Sequence, residues 1–427
     1  ARVDSATESH EHARMAALQT ELDAQVKDAH GRLVALVTDL GEGDLDVPYL
    51  PTINPLLWEV CHAAYFQELW VLRRTAGEAP WWEDADERFD SITIQHEERW
   101  RLPVPDRSGV LDYVADVRDR TLRLLRDGVL DEQGLYLTRY SVLHEDMHTE
   151  ALTYTRQALG LDAPAFDIDR ATCEAGDAAS GDVEIAGGTL RMGAEPGCTF
   201  CFDNEKWAHD VEVAPFAMAR SAVTEGEFAA FVEDGGYERD ELWCPDARRW
   251  LRAIGGRMPV YWRRAQGGGL EVRHFRDWRS VEENRAMCHV SWYEADAVAR
   301  WAGRRLPTEA EWEFACAGSD PRRSNLDWRG GGPVDVRACP GGDSDHGCRQ
   351  MFGNVWEWTS TTFAPYPGFE RDMYEDYSET SFHTRKVLRG GGWATRSRMV
   401  WPTLRNFFQP TRRDVFAGLR TCARSDA

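Results

Sequence analysis

The sequence predicts two domains of different class: a four-helix bundle over residues 1–165 and an α+β domain with little regular structure over residues 180–427. Three observations predict it. A chain of 427 residues exceeds what one hydrophobic core ordinarily serves. Apolar residues keep a helical spacing up to about residue 160, and beyond residue 182 short β-prone runs alternate with glycine-rich turns. Between them lies LDAPAFDIDRATCEAGDAASGD, residues 161–182, whose Ala, Asp and Gly content reads as a linker.

In the first domain, Leu18, Leu22, Ala29, Leu33, Leu36 and Leu40 mark the first helix. Asn54 supplies an N-cap and Pro55 the first helical position of a second, residues 56–72, which is apolar on nearly every face and so buried. Val110, Val114, Val117 and Leu124 mark a third helix after Ser108-Gly109. The fourth runs from about residue 135 to 159 and stops at Gly160, a residue suited to a left-handed cap. The core of such a bundle is a common seat for metal ligands on facing helices. In the second domain two helices stand out: residues 224–233, opened by the capping box TEGE, and residues 292–301 after Ser291. VEIAGGTLRMG and HDVEVAPFAMA read as strands with turns, and DWRGGGPVD, CPGGDSDHG and LRGGGWATRS as loops. Most of the 18 tryptophans follow residue 205, which gives this domain an aromatic-rich interior.

The net charge of −22 provides no basic footprint, so a nucleic-acid partner is not expected. No apolar run approaches a membrane span. The stretch ARVDSATESHEHARMAALQ lacks the basic-then-apolar order of a signal peptide, so a cytoplasmic protein is expected. Ten scattered cysteines do not form a disulfide framework. Cys198 and Cys201 make one CxxC without a second pair at zinc-ribbon spacing, which favours packing over a metal or redox role. No feature marks an oligomeric interface.

The strongest chemical signal is the run LHEDMHTEAL, in which His144 and His148 are four residues apart and share one helix face. Leu137, Leu152 and Thr155 extend that face, so it points inward. His62, in NPLLWEVCHAAYFQELW, sits one turn from Trp58 and Phe66 on an apolar helix, where a neutral imidazole needs a partner. Alone it would read as a core histidine; with the pair it completes a metal site that leaves coordination positions open. HExxH is also the zinc-protease signature, with Glu145 as base, but that reading needs a third ligand downstream. The next histidine is His209, and Glu174 falls in the linker.

GGTLRMG, RLPTEAEWEFA, FGNVWEWT, VLRGGGW and FAGLRTC occur in this order and resemble the formylglycine-generating-enzyme, or sulfatase-modifying-factor, family over about residues 183–425. The resemblance implies an α+β fold of the C-type-lectin-like sort, in some members with a structural Ca2+. Within it Trp356, Glu357, Trp358 and Arg389 are expected to build the core. That family's copper-dependent oxidation uses a cysteine pair, whereas Cys316, Cys339 and Cys348 lie in other contexts, so that activity is not expected. The helical half resembles the DinB-like metal-binding superfamily, which carries three histidines in this arrangement. The fusion of the two resembles the ergothioneine-biosynthesis sulfoxide synthases, non-haem iron enzymes that use O2 to join a thiol to C2 of the imidazole of hercynine (Nα-trimethylhistidine). The resemblance implies Fe(II) on His62, His144 and His148, O2 as co-substrate, and small molecules as partners.

It also assigns further residues. In DMYEDYSE, Tyr374 takes the position of the catalytic tyrosine, a proton or hydrogen-atom donor, with Tyr377 as second choice; packing in a Tyr/Phe/Pro-rich loop is the alternative for both. WPTLRNFFQPTRR offers rings for a quaternary ammonium (Trp401, Phe407, Phe408) and donors for a carboxylate (Arg405, Asn406, Arg412, Arg413). The resemblance places Asn406 and Phe407 on hercynine. Phe408 stands where members using γ-glutamylcysteine have an acidic residue, so the expected donor is cysteine or another small thiol. Arg99, in HEERWRLP, matches a donor-binding arginine, with an ion pair to Glu97 or Glu98 as the alternative. Two rival readings stand. Selenoneine synthases share this architecture and take selenium from a selenosugar, a neutral donor that Phe408 suits as well. A non-catalytic metal-binding module with a lectin-like second domain belongs to another class altogether.

Overall fold

The computed structural model describes residues 2–166, 168, 174–374 and 377–424, and the side chains from residue 13 onward. It divides into two compact units, Ala1–Asp167 and Ile168–Ala427.

The first unit contains α1 (Arg2–Thr38), α2 (Leu56–Gln67), α3 (Ala85–Phe89), α4 (Arg107–Asp127) and α5 (Glu132–Leu159). Among the long helices, α1 and α2 each pack against α4 and α5, which makes the expected four-helix bundle. Leu22, Ala29, Leu33 and Leu36 are fully buried along one side of α1. Every residue of α2 except Leu57 is buried, as its uniformly apolar sequence requires. The chain enters α2 differently from the sequence reading. Helix starts at Leu56 with Pro55 in extended geometry before it, because Asn54 is engaged elsewhere: its Oδ1 accepts from Arg99 at 2.8 Å. Beyond Gln67 the helix widens into a π-helical segment, Glu68–Thr75. Glu68, at its start, is fully buried and accepts from the Trp81 amide at 2.6 Å and the Tyr113 hydroxyl at 2.9 Å. α4 begins earlier than expected, since Asp106 caps it by accepting from Gly109 N. α4 and α5 both end on glycines in left-handed geometry, Gly128 at φ 65° and Gly160 at φ 69°.

The second unit contains α6 (Glu225–Glu233), α7 (Pro245–Ile254), α8 (Trp292–Trp301) and α9 (Glu309–Ala315). Its strands begin with β1 (Asp182–Ile185), β2 (Gly188–Met192), β3 (His209–Val213), β4 (Phe216–Ala219), β5 (Trp262–Arg264), β6 (Leu270–His274) and β7 (Asp277–Ser280). They continue with β8 (Arg304–Arg305), β9 (Trp356–Thr362), β10 (Lys386–Arg389), β11 (Asn406–Phe408), β12 (Ala417–Leu419) and β13 (Cys422–Ala423). The described strands form sheets in the orders β1-β4-β13-β8, β11-β10-β9-β12, β2-β3 and β5-β6-β7. α6, α8 and α9 open with capping boxes, Thr224/Glu227, Ser291/Glu294 and Thr308/Glu311. The first two match the sequence reading; α7 and α9 are additional.

With so few long elements, this unit is tied together by buried charge. Arg389 is fully buried and reaches Glu309 at 2.8 Å and Glu313 at 2.6 Å. Arg405 shares Glu309 at 2.8 Å. Arg420 pairs with Glu357 at 2.9 Å, and Glu357 also accepts from Trp312 Nε1 at 2.7 Å. Trp356, Glu357, Trp358 and Arg389 are therefore core residues, as read from the family motifs. Much of the stretch read as a linker is anchored too. Leu161 is buried and the Asp162 carbonyl accepts from Arg156 at 2.7 Å. Further on, the Glu174 carbonyl accepts from Cys339 N at 2.8 Å and the Asp177 carbonyl from Arg349 at 2.9 Å. The central residues 169–173 lie outside the described residues.

Candidate active site

Helix periodicity alone places His144 and His148 one turn apart on α5, and α2 presents His62 to them. Donor nitrogens of the three lie within 4.8 Å of one another, and among the described residues this is the group of metal-ligating side chains that converges. His144 Nε2 and His148 Nε2 are 3.2 Å apart. Two nitrogens each ~2.1 Å from one ion lie about 3.0–3.4 Å apart at octahedral to tetrahedral angles. The pair is thus spaced to chelate.

The surroundings settle which nitrogen faces the centre. His62 Nδ1 lies 2.7 Å from the Phe89 carbonyl, which can only accept, so Nδ1 carries the proton and Nε2 keeps its lone pair. His148 Nδ1 lies 2.9 Å from Glu59 Oε1 and is bound in the same sense. Rings fix the remaining freedom: Trp58 stacks on His62 at 5.1 Å, and Phe66 on His144 at 3.9 Å. Burial, reinforced by the neighbouring His148, holds the His62 and His144 imidazoles well below their ordinary pKa. Both are neutral at neutral pH, which is the ligating form. The third donor comes from an upstream helix rather than from downstream, which removes the basis of the zinc-protease reading.

Arg99 lies on the short helical turn His96–Trp100. It donates to Asn54 Oδ1 at 2.8 Å and to the Ser91 carbonyl at 3.2 Å, and its guanidinium lies 4.5 Å over the Trp58 ring. Arg99 and His62 thus both lie against the Trp58 ring. Two residues at this centre were missed. Glu59 had a faint signal, an acid one turn before His62 on an apolar helix; Phe89 had none, because its carbonyl does the work.

In the second unit, the Tyr374 and Tyr377 rings are 6.0 Å apart. Tyr377 meets Phe202 at 5.3 Å and Phe407 at 5.8 Å, and Phe202 stacks on Trp401 at 6.0 Å. Four sequence-assigned residues, Tyr374, Tyr377, Trp401 and Phe407, thus share one aromatic cluster, joined by Phe202, which the sequence did not single out. Burial and the carboxylates of Asp203 and Glu205 push the Tyr377 phenol well above its ordinary range, so it stays protonated. Glu205 is itself buried and accepts from Trp401 Nε1 at 2.7 Å and Thr403 Oγ1 at 2.6 Å.

Phe408 does not join this cluster. Side chains alternate along a strand, and on β11 the Phe407 ring stacks on Phe363 at 4.0 Å, whereas Phe408 lies under the Arg412 guanidinium at 4.9 Å. Arg412 is held by two bonds of 2.7 Å to Asp414. Asn406 Oδ1 accepts from Phe407 N at 2.8 Å. A single cage of Trp401, Phe407 and Phe408 is therefore corrected to two surfaces of the strand. Arg405, counted in the sequence as a carboxylate donor, is instead a buried structural residue on Glu309.

Comparison with known proteins covers both units. The sequence profile of the DinB superfamily matches residues 25–156, and that of the sulfatase-modifying factor enzyme 1-like domain matches residues 171–339 and 334–425. The chain is similar to the hercynine oxygenase of Mycolicibacterium smegmatis, 33% identical over 424 residues spanning 92% of this chain and 96% of the relative. Similarity to the hercynine oxygenase of Mycobacterium tuberculosis is 34% over 424 residues, spanning 94% and 98%. The formylglycine-generating enzyme of Thermomonospora curvata is 32% identical over 241 residues, 46% of this chain and 76% of the relative.

Proposed function

This chain belongs to the hercynine oxygenase family, and we propose that it joins C2 of hercynine's imidazole to a small thiol of the cysteine type, using O2 and Fe(II). The observation that carries the proposal is the convergence of three imidazoles, His62, His144 and His148, within 4.8 Å. Such a donor set suits Fe(II) as it suits other divalent ions of borderline softness; family membership supports iron among them. When bound, Fe(II) supplies open positions for O2 and the donor and the electrons that start O2 reduction. The reaction balances as hercynine, thiol and O2 giving the sulfoxide adduct and one water: the imidazole C–H and the S–H bonds are lost, and C–S and S–O bonds form.

The protein's part is positioning and proton supply. His62, His144 and His148 would hold the ion, with Nδ1 of His62 held by the Phe89 carbonyl and Nδ1 of His148 by Glu59. Tyr374 is the first choice for the group that delivers a proton to the reduced oxygen, and Tyr377 the second. Trp401 and Phe407 are proposed to receive the trimethylammonium of hercynine, with Asn406 as a hydrogen-bonding partner. Arg99 and Arg412 are proposed to take substrate carboxylates.

A second reading, carbon–selenium bond formation with a selenosugar, is favoured by Phe408: its ring faces a guanidinium, and it offers no acid for a donor's ammonium. One competition assay separates the two. Anaerobic protein loaded with Fe(II) receives hercynine, cysteine, γ-glutamylcysteine and a selenosugar together; O2 is admitted and adducts are read by mass spectrometry. A cysteine adduct is expected. A selenium adduct would establish the second reading, and no adduct with no O2 uptake would leave a metal-binding module.

A further inference from the structure

We infer that Glu59 is a positioning residue for the metal centre, fixing the tautomer and raising the donor strength of His148. Glu59 lies on α2 one turn before His62 and is 2% exposed. A carboxylate in such surroundings is costly unless paired. It pairs with His148 on α5, with Oε1 2.9 Å from Nδ1. A carboxylate only accepts, so the imidazole proton is drawn to Nδ1 and the lone pair is left on Nε2. Nε2 is also the atom that lies 3.2 Å from His144 Nε2. Glu59 is no ligand itself, for it falls outside the group whose donor atoms converge.

The comparison with His62 gives the interaction its meaning. There a backbone carbonyl, Phe89 O, holds Nδ1 at 2.7 Å. It orients the ring without adding charge. Glu59 orients and adds a negative charge one imidazole away from the ion, in a site whose three donors are all imidazoles. Carboxylate partners of this kind typically contribute 10–100-fold in metal affinity. The spacing has an economy too: residues three apart share a helix face, so α2 supplies one ligand and the orienter of another.

This inference rests on the reading of the three histidines as a metal centre, and the test separates the two. The full chain, stripped of metal, is titrated with Co(II) against a competing chelator, with the visible spectrum recorded. Thermal unfolding of the metal-free protein is measured alongside. Wild type is expected to bind one Co(II). Glu59→Gln keeps size and an acceptor but removes the charge, and is expected to bind roughly 10–100-fold more weakly with metal-free unfolding unchanged. Glu59→Asp is expected to recover part of the affinity, and serves as the sole comparison if Glu59→Gln fails to fold. Wild type that binds no Co(II) would overturn the metal-centre reading and this inference with it. Wild type that binds while Glu59→Gln, or Glu59→Asp where Glu59→Gln does not fold, binds equally tightly would overturn the role of Glu59 alone.

Discussion

The two units hold their candidate site residues by opposite means. In the bundle, long apolar helices carry the histidines, and the site is a small polar inclusion in a core that Leu22, Val26, Leu33, Leu36 and Leu152 fill without it. In the second unit, β11 is three residues long, and what surrounds it is secured by fully buried arginines on buried glutamates. Chemistry grafted onto a helical core is separable from stability. Chemistry carried by a loop-rich fold leans on the ion pairs that hold the loops.

The largest contrast is expected from His62→Ala. It should abolish stoichiometric metal binding, read by metal analysis after dialysis, while far-ultraviolet circular dichroism keeps the helical signal. Next comes Arg389→Met, which strands Glu313 in the core and leaves Glu309 to Arg405 alone. Removing one partner of a buried pair costs about 3–5 kcal/mol, to be read as a lower urea midpoint by tryptophan fluorescence. Equal stability in that variant would break the contrast.

A third test uses pH. Burial holds His289 down to about 3, against about 6.5 for a free imidazole. Because the folded value is depressed, the unfolded chain binds the proton first. The stability tied to a neutral His289 is fully present above pH 6.5 and is lost as pH falls from 6.5 towards 3, by something on the order of 5 kcal/mol. Urea titrations across that range should show the loss, and His289→Phe should flatten it. The smallest effect belongs to Gly128→Ala: at φ 65° a Cβ costs about 1 kcal/mol, a shift of a few degrees in the bundle's melting temperature that leaves metal affinity untouched.

These differences mirror what could be read from the sequence. Helices of the bundle were legible because burial imposes a 3.6-residue period, and the i, i+4 spacing of His144 and His148 follows from the same geometry. The π-helical turn at Glu68 was not, since its anchors, Trp81 and Tyr113, lie 13 and 45 residues away. The start of α9 was written in the Thr308–Glu311 box but hidden inside a family motif, and α7 showed only a proline at its first position. In the second unit, the sequence, read with the family resemblance, pointed to four aromatic residues of the cluster, Tyr374, Tyr377, Trp401 and Phe407. It could not reveal that the pleat of β11 parts Phe407 from Phe408, because that depends on pairing with β10.

The most direct test of the metal-centred account is O2 uptake by Fe(II)-loaded protein with hercynine and cysteine, comparing wild type with His62→Ala. Uptake that requires hercynine, matches adduct formation at one O2 per adduct, and disappears in His62→Ala is the expected result. Uptake that persists in His62→Ala, or that proceeds without hercynine, would contradict it.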